Sequence, residues 1–166
     1  MNMLAAVLRE EVDQDAAADA LDTVEMARAV PESLELCGWE TRQILLGRDA
    51  PAFGAELAQA APDLAFNLVE SFVGQAALAC VAPALCRAAG VPFTGADEGA
   101  LTAAADKALC RRIMVAAGIP APEGTSLAEL RQGLFPGPGT YIVKSRFEDA
   151  SLGLDDDCVI EASDAP

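Results

Sequence analysis

The chain predicts an α/β fold built on a parallel sheet, and three observations predict it. Short apolar runs of strand length alternate with helical patterns in the order β-α-β-α-β-α-β over the first 94 residues. Those runs are near-continuous, as expected of parallel strands covered on both faces. Alanine makes up roughly a fifth of the 166 residues, which favours helices between the strands.

Each element follows from a local pattern. Met3–Leu8 (MLAAVL) reads as a buried first strand, and polar residues 9–20 read as a loop. From Leu21 to Cys37 the apolar positions Leu21, Val24, Ala27, Val30, Leu34 and Cys37 recur at three- and four-residue spacing, an amphipathic helix. Pro31 inside it is expected to kink or split it, and Gly38 to stop it. Trp39–Leu46 reads as a second strand, Ala52–Ala60 as a helix, and Asp63–Val69 as a third strand. Gly74–Ala89 is an alanine-rich helix closed by Gly90, and Val91–Thr94 a short fourth strand.

After Gly95 the pattern changes, and a domain boundary is expected within 96–104, dividing the chain into 1–100 and 101–166. Ala105–Ala117 reads as one helix ended by Gly118, with Pro120 and Pro122 marking a linker. Ser126 and Glu129 have capping-box spacing for a short helix. Phe135–Gly139 is a turn. Tyr141–Ser145 and Cys158–Glu161 are strands joined by a polar loop, which suggests an antiparallel pair.

Composition removes several functions. The chain carries 26 acidic and 11 basic residues and no histidine, a formal charge of −15. Without histidine there is no Ser-His-Asp triad, no Cys-His pair and no His-ligated metal. So acidic a chain repels phosphate backbones, so nucleic-acid binding is not expected. No uncharged apolar run reaches membrane-spanning length, and Met1–Leu8 lacks the pattern of a secretory signal. The five cysteines, Cys37, Cys80, Cys86, Cys110 and Cys158, include no CxxC. They read as small hydrophobes in a reducing cytoplasm.

Nine of the basic residues are arginines; the two lysines are Lys107 and Lys144. Lys144 lies in YIVKSRFEDASLGL (141–154), where a strand opens into a loop containing Ser151 and Gly153. A lysine fixed there can serve a phosphate oxygen, and a small-residue loop can bring backbone N–H groups to the same anion. The plain alternative is a solvated hairpin with an incidental lysine. Asp106-Lys107 opens the next helix, where Asp106 suits an N-cap and Lys107 could equally be an ordinary first-turn residue. There is no GxxxxGK[ST] and no GxGxxG. A P-loop NTPase, or a dinucleotide binder at the first βα turn, is therefore disfavoured.

Three segments in this order and spacing carry a resemblance. They are DLAFNLVES (63–71), GVPFTGADEGALTAAADKALCRRIMVAAGIPAP (90–122) and YIVKSRFEDASLGL. Together they resemble the D-alanine–D-alanine ligases and related ATP-grasp carboxylate–amine ligases, well over residues 63–160 and more loosely over 1–62. The resemblance implies a Rossmann-like (pre-ATP-grasp) domain followed by the start of the ATP-grasp central subdomain. It implies an ATP-dependent ligase in which a carboxylate is phosphorylated to an acyl phosphate that an amine then displaces. ATP, Mg²⁺ and a small amino-acid substrate are the implied ligands, and the cytoplasm the implied location. By motif, Lys107 and Lys144 would contact ATP phosphates. Glu148–Gly153 would be the loop over those phosphates, with Glu148, Ser151 and Gly153 at its motif positions. Ser151 and Glu70 would serve the reacting centre, Glu70 by facing the substrate crevice at a strand's carboxyl end.

The departures are specific. The family loop carries two adjacent serines, and here the first position is Ala150. The glycine-rich stretch after the first strand is missing, and Asp19 or Asp22 is the nearest candidate for the substrate carboxylate of that region. Family members continue for on the order of another 100–150 residues, a domain's worth. The adenine pocket and the Mg²⁺ ligands are expected there, so no metal ligand is assigned in this chain. The chain alone is accordingly expected to be inactive, as the N-terminal part of a ligase. A homodimer and a separate ATP-grasp half are the two assemblies left open. The alternative is a non-catalytic, ligase-derived module that binds a small molecule or a protein.

Overall fold

The computed structural model describes residues 3–11, 18–148 and 153–163, with side chains in the first helix described from Glu25 onward. The elements are β1 (Met3–Glu10), α1 (Ala18–Leu36), β2 (Trp39–Leu46), α2 (Ala50–Ala60), β3 (Leu64–Asn67), α3 (Val81–Ala89) and α4 (Glu98–Ala105). They continue with α5 (Lys107–Ala116), α6 (Leu127–Arg131), β4 (Gly139–Ile142) and β5 (Val159–Ala162). Short 3-10 turns occupy Ala76–Leu78 and Asp156–Cys158. The chain divides into two units, Met1–Thr102 and Ala103–Pro166.

The first unit is organised around β1. Its AAVL segment, Ala5–Leu8, is wholly buried because β1 is the central strand of a parallel sheet ordered β2-β1-β3. β2, at one edge, buries only Ile44 and Leu46. Leu8, Ile44, Leu46, Ala65 and Val69 from the sheet region meet Phe53 and Leu57 of α2 and Ala82 and Cys86 of α3 in one core. At the amino ends, Asp63 closes the sheet by exchanging hydrogen bonds with Leu4. Its carboxylate accepts from Leu4 N–H at 2.8 Å, and its N–H donates to the Leu4 carbonyl at 2.9 Å.

Several elements depart from the sequence expectation, each for a physical reason. α1 is neither split nor ended at Pro31. Proline removes the N–H that would have reached the carbonyl four residues back, that of Ala27. The Gln43 side-chain amide of β2 donates to that carbonyl instead, at 2.8 Å. The expected fourth strand, Val91–Thr94, is reduced to one parallel bridge between Ala65 and Phe93. Pro92 has no N–H for a ladder, and the Thr94 hydroxyl rather than the backbone receives Asn67 N–H, at 3.1 Å. The helix expected over Gly74–Ala89 begins only at Val81. Ahead of it, Phe72–Gln75 forms a tight turn with both central residues left-handed, Val73 at φ 50° and Gly74 at φ 74°.

The stretch read as a boundary contains helix α4. Asp97 starts it by accepting Ala100 N–H at 2.8 Å. The single helix expected over Ala105–Ala117 is α5 alone, started by Asp106 as N-cap.

The second unit holds α5, α6 and an antiparallel pair, β4-β5, in which Gly139 faces Ala162 and Ile142 faces Val159. The capping box is present: Ser126 Oγ accepts Glu129 N–H, and Glu129 accepts Ser126 N–H at 2.7 Å. β4 ends at Ile142, short of the expected Ser145, so Lys144 stands just past the strand rather than on it. The physical cause is the partner. Residues 156–158 turn as 3-10 helix, so pairing beyond Ile142 ends with Val143 N–H on the Cys158 carbonyl, at 2.8 Å.

Candidate functional site

In the first unit the place to look is the carboxyl end of the sheet. β1 continues into β2 on one side and has β3 on the other, so a topological switch point lies between β1 and β3. Glu10 ends β1 there. Its carboxylate accepts Glu70 N–H at 3.0 Å and the Ser71 hydroxyl at 3.3 Å. Glu70 itself stands three residues past β3 with an exposed side chain. The segment carrying Glu70 is thus tied by its main chain to the end of the central strand. Glu10 was not singled out from the sequence, because only the sheet order places it beside residues 60 positions away. Asp19 and Asp22 lie in α1, outside the described side chains.

An open pocket of about 500 Å³ also lies in this unit, lined by Glu11, Gly47, Arg48, Asp49, Phe53 and Glu56 among others. None of the residues singled out from the sequence lines it.

In the second unit, three of the residues singled out from the sequence, Asp106, Lys107 and Glu148, meet at the start of α5. Asp106 is an N-cap in extended conformation, and its Oδ1 accepts the N–H groups of Ala108 at 3.0 Å and Leu109 at 3.1 Å. The same carboxylate receives a two-pronged bond from Arg146, with Nε on Oδ1 at 2.7 Å and Nη2 on Oδ2. Arg146 holds the Asp106 carboxyl well below the usual carboxylate range, helped by the Leu109 and Ala108 N–H groups. The Arg146 guanidinium also lies 5.0 Å from the centre of the Phe147 ring.

Lys107 is held from two directions by the same loop. Its N–H donates to the Arg146 carbonyl at 3.2 Å, and its Nζ donates to the Glu148 carbonyl. The structure therefore brings Lys107 and Glu148 together. Lys144 is exposed, and Gly153 adopts a left-handed φ of 70°. Ser151 lies outside the described residues. Arg146 is the residue that sequence reasoning passed over, since its partner is 40 positions away. The only signal was its place between two singled-out residues. Among the described residues, no group of three His, Cys, Asp or Glu is arranged to hold a metal ion. No helix among them is long and apolar enough to cross a membrane.

The fold, a parallel α/β unit followed in the chain by a small second unit, matches the N-terminal region of D-alanine–D-alanine ligase structures. The crystal structure of D-alanine–D-alanine ligase from Bacillus anthracis matches 98% of this chain and 49% of its own, with a TM-score of 0.62 and 17% identity. The crystal structure of D-alanyl-alanine synthetase A from Vibrio cholerae matches 98% and 52%, with a TM-score of 0.65 and 12% identity. Those likenesses concern the fold.

Sequence adds a direct relation. The chain is 32% identical over 127 residues to a D-alanine–D-alanine ligase of Paramagnetospirillum magneticum, 76% of this chain and 41% of the relative. It is also 32% identical over 130 residues to that of Gluconobacter oxydans, with the same two shares. No family model matches the chain. The chain is a homologue of the D-alanine–D-alanine ligases and corresponds to their N-terminal portion. It spans about two fifths of the length of the curated relatives it matches.

Proposed function

We propose that this chain supplies the N-terminal part of a cytoplasmic, ATP-dependent carboxylate–amine ligase that joins small amino acids. The observation that carries this is the sequence relation to D-alanine–D-alanine ligases, with the lysine motifs in order within the same chain. ATP would provide a transferable phosphoryl group. Lys107 and Lys144 would bind its phosphate oxygens as point charges, with Glu148, Ser151 and Gly153 in the adjoining loop. Exchanging its Glu148 carbonyl for a phosphate oxygen would replace a neutral acceptor of Lys107 with a charged one, which strengthens the bond.

Glu70, with Glu10 tying its main chain, would face the substrate crevice at the switch point. Three suitable metal ligands are not assembled among the described residues. As the family resemblance implies, Mg²⁺ would be held by the rest of such a ligase.

The test is a titration of the chain with ATP, followed by thermal shift and calorimetry, beside Lys144→Ala. The expected result is saturable stabilisation of the wild type and about a tenfold weaker affinity in the variant, as for loss of one charge-assisted hydrogen bond. An equal response of the two proteins would remove Lys144 from the nucleotide contacts. Ala150, in place of the family's first loop serine, favours a second reading in which the chain binds nucleotide without taking part in ligation. That reading predicts ATP binding with no dipeptide formed when the C-terminal half of a relative is added.

A further inference from the structure

We infer that Arg146 is a positioning residue for Lys107, acting through Asp106; this rests on the reading of Lys107 as a phosphate contact. The observation is a closed circuit of four groups drawn from two segments 40 residues apart. The Asp106 carboxylate binds the Arg146 guanidinium with both oxygens. The same carboxylate fixes the first turn of α5 through Ala108 N–H and Leu109 N–H. The Arg146 carbonyl accepts Lys107 N–H, and two residues on the Glu148 carbonyl accepts Lys107 Nζ. The helix start and the loop are therefore locked to each other at the residue whose charge the anion would use.

Two physical effects follow. The first is geometric. A lysine stem has four rotatable bonds, and its ammonium finds a fixed place only if its backbone and the opposing carbonyl are both fixed. The planar fork of Arg146 fixes them, which a single ammonium could not do as well. The second is electrostatic. Asp106 is a carboxylate next to the cation, in a chain of net charge −15. Unpaired, it would repel an incoming anion. Paired to Arg146 it presents no net charge, and Lys107 keeps its full effect.

The experiment has a ligand-free arm and an ATP arm, both on the intact chain. In the first, amide exchange of Lys107, Ala108 and Leu109 is measured by NMR in the wild type, Arg146→Ala and Arg146→Lys. Exchange is expected to quicken several-fold at these three amides in Arg146→Ala, and less in Arg146→Lys. Unchanged exchange at Lys107 overturns the inference whatever ATP does. In the second arm, ATP affinity is measured for the wild type, Arg146→Ala, Lys107→Ala and the double variant.

Arg146→Ala alone is expected to weaken binding about tenfold, as for a lost charge-assisted hydrogen bond. In the Lys107→Ala background it should cost little further, because the effect runs through Lys107. A loss that persists undiminished without Lys107 makes Arg146 a direct contact or a general structural support, and overturns the inference. Should the wild type fail to bind ATP, the nucleotide reading falls by itself. The exchange arm then decides the positioning role alone.

Discussion

At the scale of single residues, the ion pair between Asp106 and Arg146 has a consequence in pH. Arg146 and the N–H groups of the helix start favour the ionised carboxylate, so the folded-state pKa is depressed below its ordinary value of 3.8. A depressed carboxylate adds stability that is present above its unfolded pKa and is lost as pH falls through the folded one. The contribution is therefore intact at neutral pH and fades only in strong acid. Carboxyl ¹³C NMR should find Asp106 still ionised at about pH 3, where exposed carboxylates are already largely protonated. Arg146→Ala should return its midpoint toward the ordinary range. A wild-type midpoint near 4 would show that the pair does not hold in solution.

Asp106 itself was legible as an N-cap because capping is local, a matter of the next three residues. Arg146 and Glu10 were not, because their partners are 40 and 60 residues distant.

Among the elements, α1 shows how a neighbour overrides a local rule. Proline within a helix predicts a break, yet α1 runs unbroken through Pro31. The carbonyl that proline leaves without a partner is that of buried Ala27, and Gln43 of β2 supplies the missing donor. Gln43→Ala should cost about 0.5–1.5 kcal/mol, the net worth of one partly buried hydrogen bond. Adding Pro31→Ala should recover most of it, since an N–H at residue 31 can then reach the Ala27 carbonyl. Urea unfolding followed by the fluorescence of Trp39, the single tryptophan, measures both variants. Equal stability of Gln43→Ala and the double variant would show that the amide does not replace the missing bond.

Other element ends were readable because their signals are short-range. Gly38 and Gly90 both take left-handed φ where α1 and α3 end. α4 escaped notice although Asp97 and Glu98 are ordinary start signals. Its glycine and alanine content reads as a connection when the apolar period is weak.

For the whole molecule, the two units differ in kind. The first has a core of fully buried side chains from three strands and two helices. In the second, no described residue is fully buried, and Ile113, Val115, Leu127, Ile142 and Val159 are among the large apolar side chains left exposed. Protection from amide exchange follows burial and packing. Hydrogen exchange should therefore be slowest in β1 and its neighbours, and markedly faster across the described residues of the second unit, 103–148 and 153–163. Uniformly slow exchange over both units would contradict this. The same contrast explains why the three strands of the first unit's sheet were readable from their apolar runs. In the first unit the apolar runs are the core, so composition and burial agree. β4 and β5 carry apolar residues without burial, so their bounds follow hydrogen-bond pairing instead, and β4 came out shifted.

What the sequence determined by itself was therefore whatever depends on neighbours in the chain. It settled the βα alternation as far as the third strand, helix caps and stops such as Asp106, Gly38 and Gly90, the resemblance to the ligases, and the two lysines as the unusual cations of an acidic protein. The tertiary structure decided what depends on residues brought together across the fold. It tied the Glu70 segment to Glu10, carried α1 through Pro31 by means of Gln43, and joined Arg146 to Asp106 around Lys107. The physical reason is the range of the forces involved. Propensity and capping act over a few residues, whereas the hydrogen-bond partner of a given carboxylate or carbonyl is set by the path of the whole backbone.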